Sequence, residues 1–298
     1  MKGSLPEALL KVAFFSIPNS QRKSIYLKHE SLLECAMKNN CDGYTLITGA
    51  STGIGRATAL LAAQNNYQLI LTARRLDKLK ILQKECLAAG ARDVFIFKLD
   101  VTDQGKVKML AAQLKTKKIK LKNLINNAGL AKGTELFQDG RLSDFEQMID
   151  TNVKGLLNAT RLLLPFLIKS RGHIINMGSV AGRLVYEGGA VYCASKFAVR
   201  ALSDGLRMDL KGTGVRVTNI EPGMVNTDFS LVRLGNQQKA DAVYAGMMPL
   251  LANDIAESIL WCVERPAHVN IQELVIYPTD QASVGQVVRG EKSVKNFN

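Results

Sequence analysis

Hydrophobic and polar positions follow two alternating patterns from residue 44 onward. Short apolar runs alternate with longer stretches in which apolar residues recur every three or four positions, which is typical of βα units on a parallel sheet. The predicted strands are Tyr44–Thr48, Gln68–Thr72, Val94–Lys98, Asn123–Asn126, His173–Met177, Val215–Ile220 and Leu274–Tyr277. The predicted helices are Ile54–Gln64, Asp77–Ala88, Lys106–Leu114, Ser143–Lys169, Val191–Leu210 and Asp254–Glu264. The pattern predicts an α/β fold with a doubly wound parallel sheet of seven strands and helices on both faces.

Ser143 is followed three positions later by Glu146. This is the spacing of a capping box, in which each side chain bonds the other residue's backbone N–H. The sequence therefore predicts that the long fourth helix is capped at Ser143.

The chain divides into two parts by pattern. Residues 44–298 show no repeat, low-complexity tract or linker and are interpreted as one domain. Residues 1–43 mix polar, basic and apolar residues without a clear period, so they form an extension of uncertain role. Because Met37 lies seven residues before the first strand, one hypothesis is that translation starts there. Detection of earlier residues in the native protein by mass spectrometry would contradict it.

Composition narrows the class of protein further. No uninterrupted apolar run approaches about 18 residues, and the N-terminal segment lacks a secretory cleavage pattern, so we expect a soluble cytoplasmic protein without a membrane partner. The histidines and cysteines lack metal-ligand or C-x-x-C spacing, which argues against a metal site or disulfide framework. These residues are His29, His173 and His268, and Cys35, Cys41, Cys86, Cys193 and Cys262.

The net charge of +13 raises the question of an anionic partner. Much of this charge is local, in a lysine cluster with no intervening acid: Lys106, Lys108, Lys115, Lys117, Lys118, Lys120 and Lys122. The cluster has no interleaved aromatic residue and matches no nucleic-acid motif. We therefore interpret it as a solvated helix face and loop, and expect no nucleic-acid partner.

A glycine-rich segment, TGASTGIG at residues 48–55, follows the first strand and opens the first helix. Gly49, Gly53 and Gly55 permit a sharp turn and close approach of a pyrophosphate, for which the free N–H groups of the helix start are donors. The same letters also satisfy the G-x-S-x-G nucleophile elbow, with Ser51 as nucleophile and His268 as a formal partner. No HGGG-type loop accompanies it, so a dinucleotide site is favoured over a hydrolase.

Tyr192 and Lys196 lie four positions apart in YCASK, and hence on one face of a predicted helix. A tyrosine pKa of about 10 is too high for a base at neutral pH, but a nearby ammonium would favour the phenolate. The pair could therefore move a proton to or from a substrate oxygen.

Six motifs in order resemble the short-chain dehydrogenase/reductase family across about residues 44–290. They are TGASTGIG (48–55), NNAG (126–129), DTNVKG (150–155), INMGSVAG (175–182), YCASK (192–196) and PG (222–223). The resemblance implies a Rossmann-like sheet, a nicotinamide cofactor and a homotetramer. It also implies a catalytic group of Asn152, Ser179, Tyr192 and Lys196, in which Ser179 holds the substrate oxygen and Asn152 anchors a water that relays protons to Lys196.

The same resemblance assigns the cofactor contacts, with Asp100 and Val101 beside the adenine and the segment after the sixth strand over the nicotinamide. The predicted contacts are Gly49, Ser51, Thr52, Gly53, Ile54, Gly55, Arg74, Arg75, Asp100, Val101, Asn127, Ala128, Gly129, Tyr192, Lys196, Pro222, Gly223, Val225 and Thr227.

Arg74 and Arg75 end the second predicted strand, and Arg74 lies nineteen residues after Gly55. Near this offset an NAD-binding protein places an acid on the adenosine ribose. Two guanidinium groups there suit the 2′-phosphate instead, because arginine presents a planar fork of donors to phosphate. We therefore predict NADP rather than NAD.

The C-terminal half resembles NADP-dependent 3-hydroxy acid dehydrogenases, including serine 3-dehydrogenase and L-allo-threonine dehydrogenase types. The segments that carry this likeness are EPGMVNTDFSLVR, MPLLANDIAESILW and PAHVNIQELVIYPTDQAS. A substrate carboxylate needs a cation, for which Arg233 is the first candidate and Arg183 the rival. The alternatives are a reductase of steroid, sugar or acyl-thioester ketones and a nicotinamide-sensing regulator.

Overall fold

The computed structural model describes residues 42–290 and residue 293. The strands are β1 Tyr44–Thr48, β2 Gln68–Ala73, β3 Asp93–Lys98, β4 Leu121–Asn126, β5 His173–Met177, β6 Arg216–Pro222, β7 Val225–Asn226, β8 Leu250–Leu251, β9 Glu273–Ile276, β10 Gln281–Ser283 and β11 Gln286–Val287. The α-helices are α1 Gly53–Gln64, α2 Leu76–Ala88, α3 Gln104–Thr116, α4 Leu142–Ile149, α5 Leu156–Ser170, α6 Ala190–Asp209, α7 Asp228–Leu234, α8 Gln237–Tyr244 and α9 Ala252–Val263. The hypothesis about Met37 lies outside the described residues.

Seven parallel strands form the main sheet, in the order β3-β2-β1-β4-β5-β6-β9. The predicted doubly wound sheet is therefore confirmed, and the boundaries of its strands differ from the prediction by no more than two residues. The strand order reverses between β1 and β4, and the carboxyl ends of these strands face the same edge. Ligands of doubly wound folds bind in the crevice at that edge.

Two hydrophobic layers cover the sheet, one on each face. Helices α1, α2 and α9 cover one face, where Leu79 and Ile259 pack against strand residues such as Leu69. Helices α3, α5 and α6 cover the other, where Leu110 and Leu163 are buried. Strand side chains alternate between the two layers, so nearly every position of the central strands is buried, as expected for a sheet covered on both faces.

The predicted helix Ser143–Lys169 is interrupted in the structure. Helix α4 passes into a π-helical segment, Asp150–Gly155, before α5 begins. The predicted capping box at Ser143 is wrong, because the helix begins one residue earlier and Arg141 occupies the N-cap position. Ser143 therefore lies inside the first turn of the helix. Its side chain cannot act as an N-cap there, because an N-cap residue has non-helical backbone angles.

Two helices of the structure, α7 and α8, were not predicted. They are short and lie between β7 and β8. Tyr244 of α8 bonds Ser230 of α7 (hydroxyl oxygens 2.7 Å apart) and donates to the Val225 carbonyl at 2.7 Å. These contacts attach the helical pair to β7, which follows the carboxyl end of β6 and pairs with β8.

Other predictions concern the surface and the buried thiols. In the described part of the chain, no helix combines the length and the apolar character needed to span a bilayer. Within that part, no cluster of residues could hold a metal ion, and Cys86, Cys193 and Cys262 are free and buried. The lysine cluster is exposed along α3 and the following loop, apart from the half-buried Lys122.

Candidate active site

A cleft of about 470 Å³ opens at the carboxyl edge of the sheet, at the reversal between β1 and β4. It is lined by the loops that follow the strands and by α6 and α7. The residues predicted for the catalytic group, the cofactor and the substrate all line it, except Gly55, Asn152 and the rival substrate candidate Arg183. The structure therefore brings together, in one cleft, residues that are up to 184 positions apart between Gly49 and Arg233.

The glycine turn lies at one end of the cleft. Gly49 and Gly53 have φ values of 65° and 55°, a left-handed conformation that favours glycine. Gly55 acts differently from the prediction: it does not line the cleft, and a Cβ there would lie 2.4 Å from the Asn127 amide nitrogen. Gly55 therefore permits close packing of α1 against the loop after β4, and its predicted cofactor contact is not supported.

The start of α1 suits an anionic group. Within the described residues, no side chain caps this helix and its first turn contains no acid. Its first N–H groups and the positive end of the helix dipole therefore face the cleft uncompensated. Arg74 and Arg75 lie beside it, both exposed, and Arg75 donates to the hydroxyl of Ser51 at 3.2 Å. The residues present fit a dinucleotide that carries an additional phosphate.

Tyr192, Lys196 and Ser179 lie together deeper in the cleft. The Lys196 ammonium is 5.8 Å from the centre of the Tyr192 ring and donates to the Met177 carbonyl at 2.8 Å. Ser179 is the second residue after β5 and lines the same cleft as Tyr192, and its hydroxyl accepts from the Ala181 N–H at 3.1 Å. The i,i+4 prediction for the tyrosine and lysine is thus consistent with their positions on α6.

Burial dominates the protonation of this group. It raises the pKa of Tyr192 above its ordinary value, an effect that the nearby Ser179 hydroxyl and the charge of Arg233 only partly offset. Burial also lowers the pKa of Lys196 to about 8. The expected phenolate is therefore not favoured by these side chains alone, because desolvation penalises the charged form of each.

Replacement of Lys196 by methionine should stabilise the cofactor-free protein. Lowering the pKa from 10.5 to about 8 means that protonated Lys196 disfavours folding by roughly 3 kcal/mol. Lys196→Met also removes the hydrogen bond to the Met177 carbonyl, which reduces this gain by about 1 kcal/mol. We therefore expect the substitution to raise the free energy of unfolding by about 2 kcal/mol. The gain should be complete below about pH 8 and should shrink toward about pH 10.5, where the unfolded lysine also loses its proton.

Urea unfolding at about pH 7 and about pH 10 measures this effect. The control is Lys80→Met on the exposed side of α2, which should change the free energy by less than about 0.5 kcal/mol. A Lys196→Met protein that is less stable than the parent at neutral pH would contradict the interpretation.

Asn152 is buried in the π-helical segment and does not line the cleft. Its side-chain oxygen accepts from the Leu130 N–H at 2.9 Å, and its amide donates to the Leu130 carbonyl at 2.8 Å and to the Ser195 hydroxyl at 3.0 Å. Asn152 thus joins the loop after β4 to the residue preceding Lys196. The water that the resemblance assigns to it remains a prediction.

Arg233 and Arg183 have different surroundings. The Arg233 guanidinium lies 5.8 Å from the Tyr192 ring centre, and its Nη1 donates to the Tyr186 hydroxyl at 3.0 Å. Arg183 does not line the cleft, because it is ion-paired with Glu221 and Glu273 on the neighbouring strands. The rival assignment of Arg183 to the substrate is therefore wrong.

Glu221 makes this ion-pair group sensitive to mutation. Its side chain is fully buried, pairs with Arg183 and accepts from the Asn219 amide at 2.6 Å. Glu221→Ala should lower the free energy of unfolding by about 3 kcal/mol, because the half-buried Arg183 and the buried Asn219 amide both lose this carboxylate. Denaturant unfolding tests this, with the exposed Glu257→Ala on α9 as the control. Equal, small losses in both variants would contradict it.

The hydrolase alternative is not compatible with the fold. Ser51 follows the carboxyl end of β1, whereas His268 is exposed before the amino end of β9. Because the sheet is parallel, these residues lie at opposite edges, and His268 is not among the residues of the cleft.

Several cleft residues were missed by the sequence-based reasoning. Tyr186, six positions before Tyr192, contacts Arg233; Phe229 lies 5.8 Å from the Tyr192 ring, and Tyr244 lines the same cleft. Only the nearness of Tyr186 to YCASK could have indicated any of them, since the contacts join distant segments.

Comparison with known proteins agrees with this geometry. The family model described as short chain dehydrogenase matches residues 44–236. The chain therefore belongs to the short-chain dehydrogenase family, and it is an oxidoreductase acting on CH–OH donors.

Similar proteins share most of the chain. Serine 3-dehydrogenase of Agrobacterium fabrum is 44% identical over 249 residues, covering 83% of this chain and 98% of that protein. Sulfoacetaldehyde reductase 2 of Chromohalobacter salexigens is 47% identical over 240 residues, covering 80% of this chain and 94% of that protein. NADP-dependent 3-hydroxy acid dehydrogenase of Schizosaccharomyces pombe is 41% identical over 252 residues, covering 83% of this chain and 97% of that protein. A solved closed form of serine dehydrogenase complexed with NADP⁺ superposes with a TM-score of 0.77 at 40% identity, covering 83% of this chain and 99% of that one.

Proposed function

We propose that the protein transfers hydride between NADP and the 3-hydroxyl carbon of a short 3-hydroxy acid. The observation that carries this proposal is the position of Arg233 beside Tyr192, in a cleft whose other end contains Arg74 and Arg75. One cation is thus available for a substrate carboxylate and two for a cofactor phosphate. Similarity to a serine 3-dehydrogenase, an NADP-dependent 3-hydroxy acid dehydrogenase and an NADP-bound serine dehydrogenase structure supports both assignments.

NADP would occupy this cleft, whose lining includes the residues that would hold it. The N–H groups at the start of α1 would bind its pyrophosphate, and Arg74 and Arg75 its 2′-phosphate. Asp100 and Val101 would contact the adenine, and Pro222, Gly223, Val225 and Thr227 the nicotinamide. NADP, when bound, supplies or accepts the hydride.

Tyr192 moves the proton that accompanies the hydride. During oxidation its phenol oxygen accepts the proton of the substrate hydroxyl, and during reduction it returns a proton to the carbonyl oxygen. Ser179 donates to the same substrate oxygen and fixes its position. Together with the positive charge of an oxidised nicotinamide, the Lys196 ammonium would favour the phenolate, and it would also hold the cofactor ribose. Asn152 keeps the neighbouring backbone in place through Leu130 and Ser195.

The substrate carboxylate binds Arg233. Arg233→Gln should raise the KM for 3-hydroxypropionate about 100-fold and change kcat less, because charge-assisted bidentate bonds to the ground state are lost. Steady-state kinetics with NADP measures this, and Arg92→Gln, an exposed arginine before β3, is the control. An unchanged KM in Arg233→Gln would contradict the assignment.

A substrate comparison tests the function itself. With NADP, 3-hydroxypropionate should be oxidised with a kcat/KM at least about 100-fold above that of 1-propanol, an uncharged alcohol of similar size. Equal efficiency on both would refute the carboxylate requirement. A steroid, sugar or acyl-thioester ketone reduced more efficiently than malonic semialdehyde would favour the other carbonyl reductase function instead.

We also infer a homotetramer in the cytoplasm, without a nucleic-acid partner. Exposed apolar residues on the long helices support self-association, such as Leu157 of α5 and Phe197 and Met208 of α6. The free buried thiols suit a reducing compartment. Light scattering should give the mass of four chains, and a monomer at working concentration would refute the tetramer. Cell fractionation that finds the enzyme in an organelle would refute the location.

A further inference from the structure

Residues 222–224 begin at the carboxyl end of β6 and form one wall of the cleft. Backbone bonds hold this wall on two sides. The Gly223 N–H donates to the Ile276 carbonyl of β9 at 2.7 Å, and the Met224 carbonyl accepts from the Leu250 N–H at 3.0 Å. The wall is therefore attached to the last strand of the main sheet and to β8.

Gln281 holds the same wall with its side chain. Its Oε1 accepts from the Met224 N–H at 2.8 Å, and its Nε2 donates to the Ser283 carbonyl at 3.2 Å. The residue lines the cleft although only 4% of it is exposed. A Cβ on Gly223 would lie 2.4 Å from this Oε1. Glycine at that position therefore permits the Gln281 amide to approach the backbone so closely.

The hairpin that carries Gln281 is itself tied to the fold. Gln281 begins β10, which pairs with β11 in antiparallel fashion. The Val288 N–H, just after β11, donates to the Asp280 carbonyl at 2.7 Å. The Asp280 carboxylate accepts from the N–H of Met248, shortly before β8, also at 2.7 Å. Because the hairpin is fixed in this way, the Gln281 amide has a defined position from which to hold the wall.

This wall lies far from the cations that suit the cofactor phosphates. Strands β4 and β5 separate β6 from β1 in the main sheet, which places the two carboxyl ends about 14 Å apart. Arg74 and Arg75 follow β2, one strand further away. A change at Gln281 should therefore act on a ligand at the β6 end of the cleft and leave a phosphate at the other end unaffected.

We propose that Gln281 is a positioning residue for the nicotinamide end of the cofactor, acting through the Met224 N–H to fix the wall that the ring would contact. This inference rests on the part of the proposed function that assigns the nicotinamide to the segment after β6, and not on the choice of substrate. Gln281 exchanges neither hydride nor proton, so the reaction is unchanged. Its effect is geometric, because a displacement of about 1 Å at the reacting atoms can cost about 100-fold in rate.

Binding without turnover tests this role. Gln281→Leu keeps most of the side-chain volume but has no acceptor for the Met224 N–H. Its affinity for NADPH should fall about 5-fold, which is the size of one lost hydrogen bond. Its affinity for 2′,5′-ADP, which carries the 2′-phosphate but no nicotinamide, should stay within about twofold of the parent. Calorimetric titration measures both. Equal losses for the two ligands, or an unchanged affinity for NADPH, would overturn the inference.

Two further variants separate the acceptor from other changes. Gln281→Glu keeps an oxygen that can accept from the Met224 N–H, so its affinity for NADPH should stay within about twofold of the parent. Gln286→Leu makes the same kind of change at an exposed position of the same hairpin and should alter neither affinity. A Gln281→Glu protein that binds NADPH as weakly as Gln281→Leu would overturn the assignment of the acceptor.

The hydride step gives a second measurement. In a single turnover with NADP and saturating 3-hydroxypropionate, Gln281→Leu should transfer hydride about 10-fold more slowly than the parent. A rate equal to that of the parent would overturn the inference while leaving the proposed function intact. Absence of turnover by the parent would refute the proposed substrate, whereas the two titrations would still decide the role of Gln281.

Discussion

Tyr192→Phe should lower kcat by at least about 100-fold and leave the affinity for NADP within about twofold of the parent. The variant keeps the ring that packs near Phe229 and Lys196, but it has no hydroxyl to exchange a proton with the substrate. General acid–base catalysis contributes about 10² to 10⁴ in rate, which sets the size of the loss.

Single-turnover kinetics and a calorimetric NADP titration measure the two quantities separately. Tyr44→Phe, remote from the cleft, should keep full activity. Retention of more than a few per cent of the rate in Tyr192→Phe would show that another group transfers the proton.

Arg74→Asp combined with Arg75→Ala should reverse the cofactor preference. The double variant removes two guanidinium groups from the end of β2 and introduces a carboxylate where an NAD-binding protein places one. We expect kcat/KM for NADP to fall by about 100-fold or more, because the 2′-phosphate loses charge-assisted bonds and meets a like charge. NAD should be used at least as well as before.

The kinetic constants of both cofactors give the ratio directly. Lys80→Asp is the matched control, since Lys80 is exposed on α2 but does not line the cleft. An unchanged NADP/NAD ratio in the double variant would show that these arginines only begin a basic helix.

The sheet could be predicted because each strand is a short apolar run bounded by polar or glycine-containing segments. The interruption of the helix at Asp150–Gly155 could not be predicted, because the apolar spacing continues from α4 into α5. A π-helical segment has no separate pattern in the sequence. Helices α7 and α8 were missed because each is only two turns long and is held by tertiary bonds, such as that between Ser230 and Tyr244.

The site was predictable to the extent that its residues occur in compact motifs. YCASK places Tyr192 and Lys196 on one helical face, and the glycine turn places the anion site at α1. Partnerships between distant residues were not predictable. Arg183 is paired with Glu273, 90 positions away, which decides between the two arginines proposed for the substrate. The burial that raises the pKa of Tyr192 is likewise a property of the packed molecule.

Transfer of deuterium tests the central claim most directly. 3-Hydroxypropionate with deuterium at the carbinol carbon is incubated with the enzyme and NADP, and the mass of the NADPH formed is measured. The account predicts NADPH one deuterium heavier than that from unlabelled substrate, formed at least about 100-fold more slowly with Tyr192→Phe. Formation of unlabelled NADPH would contradict the account. So would the absence of any NADPH formation by the parent enzyme.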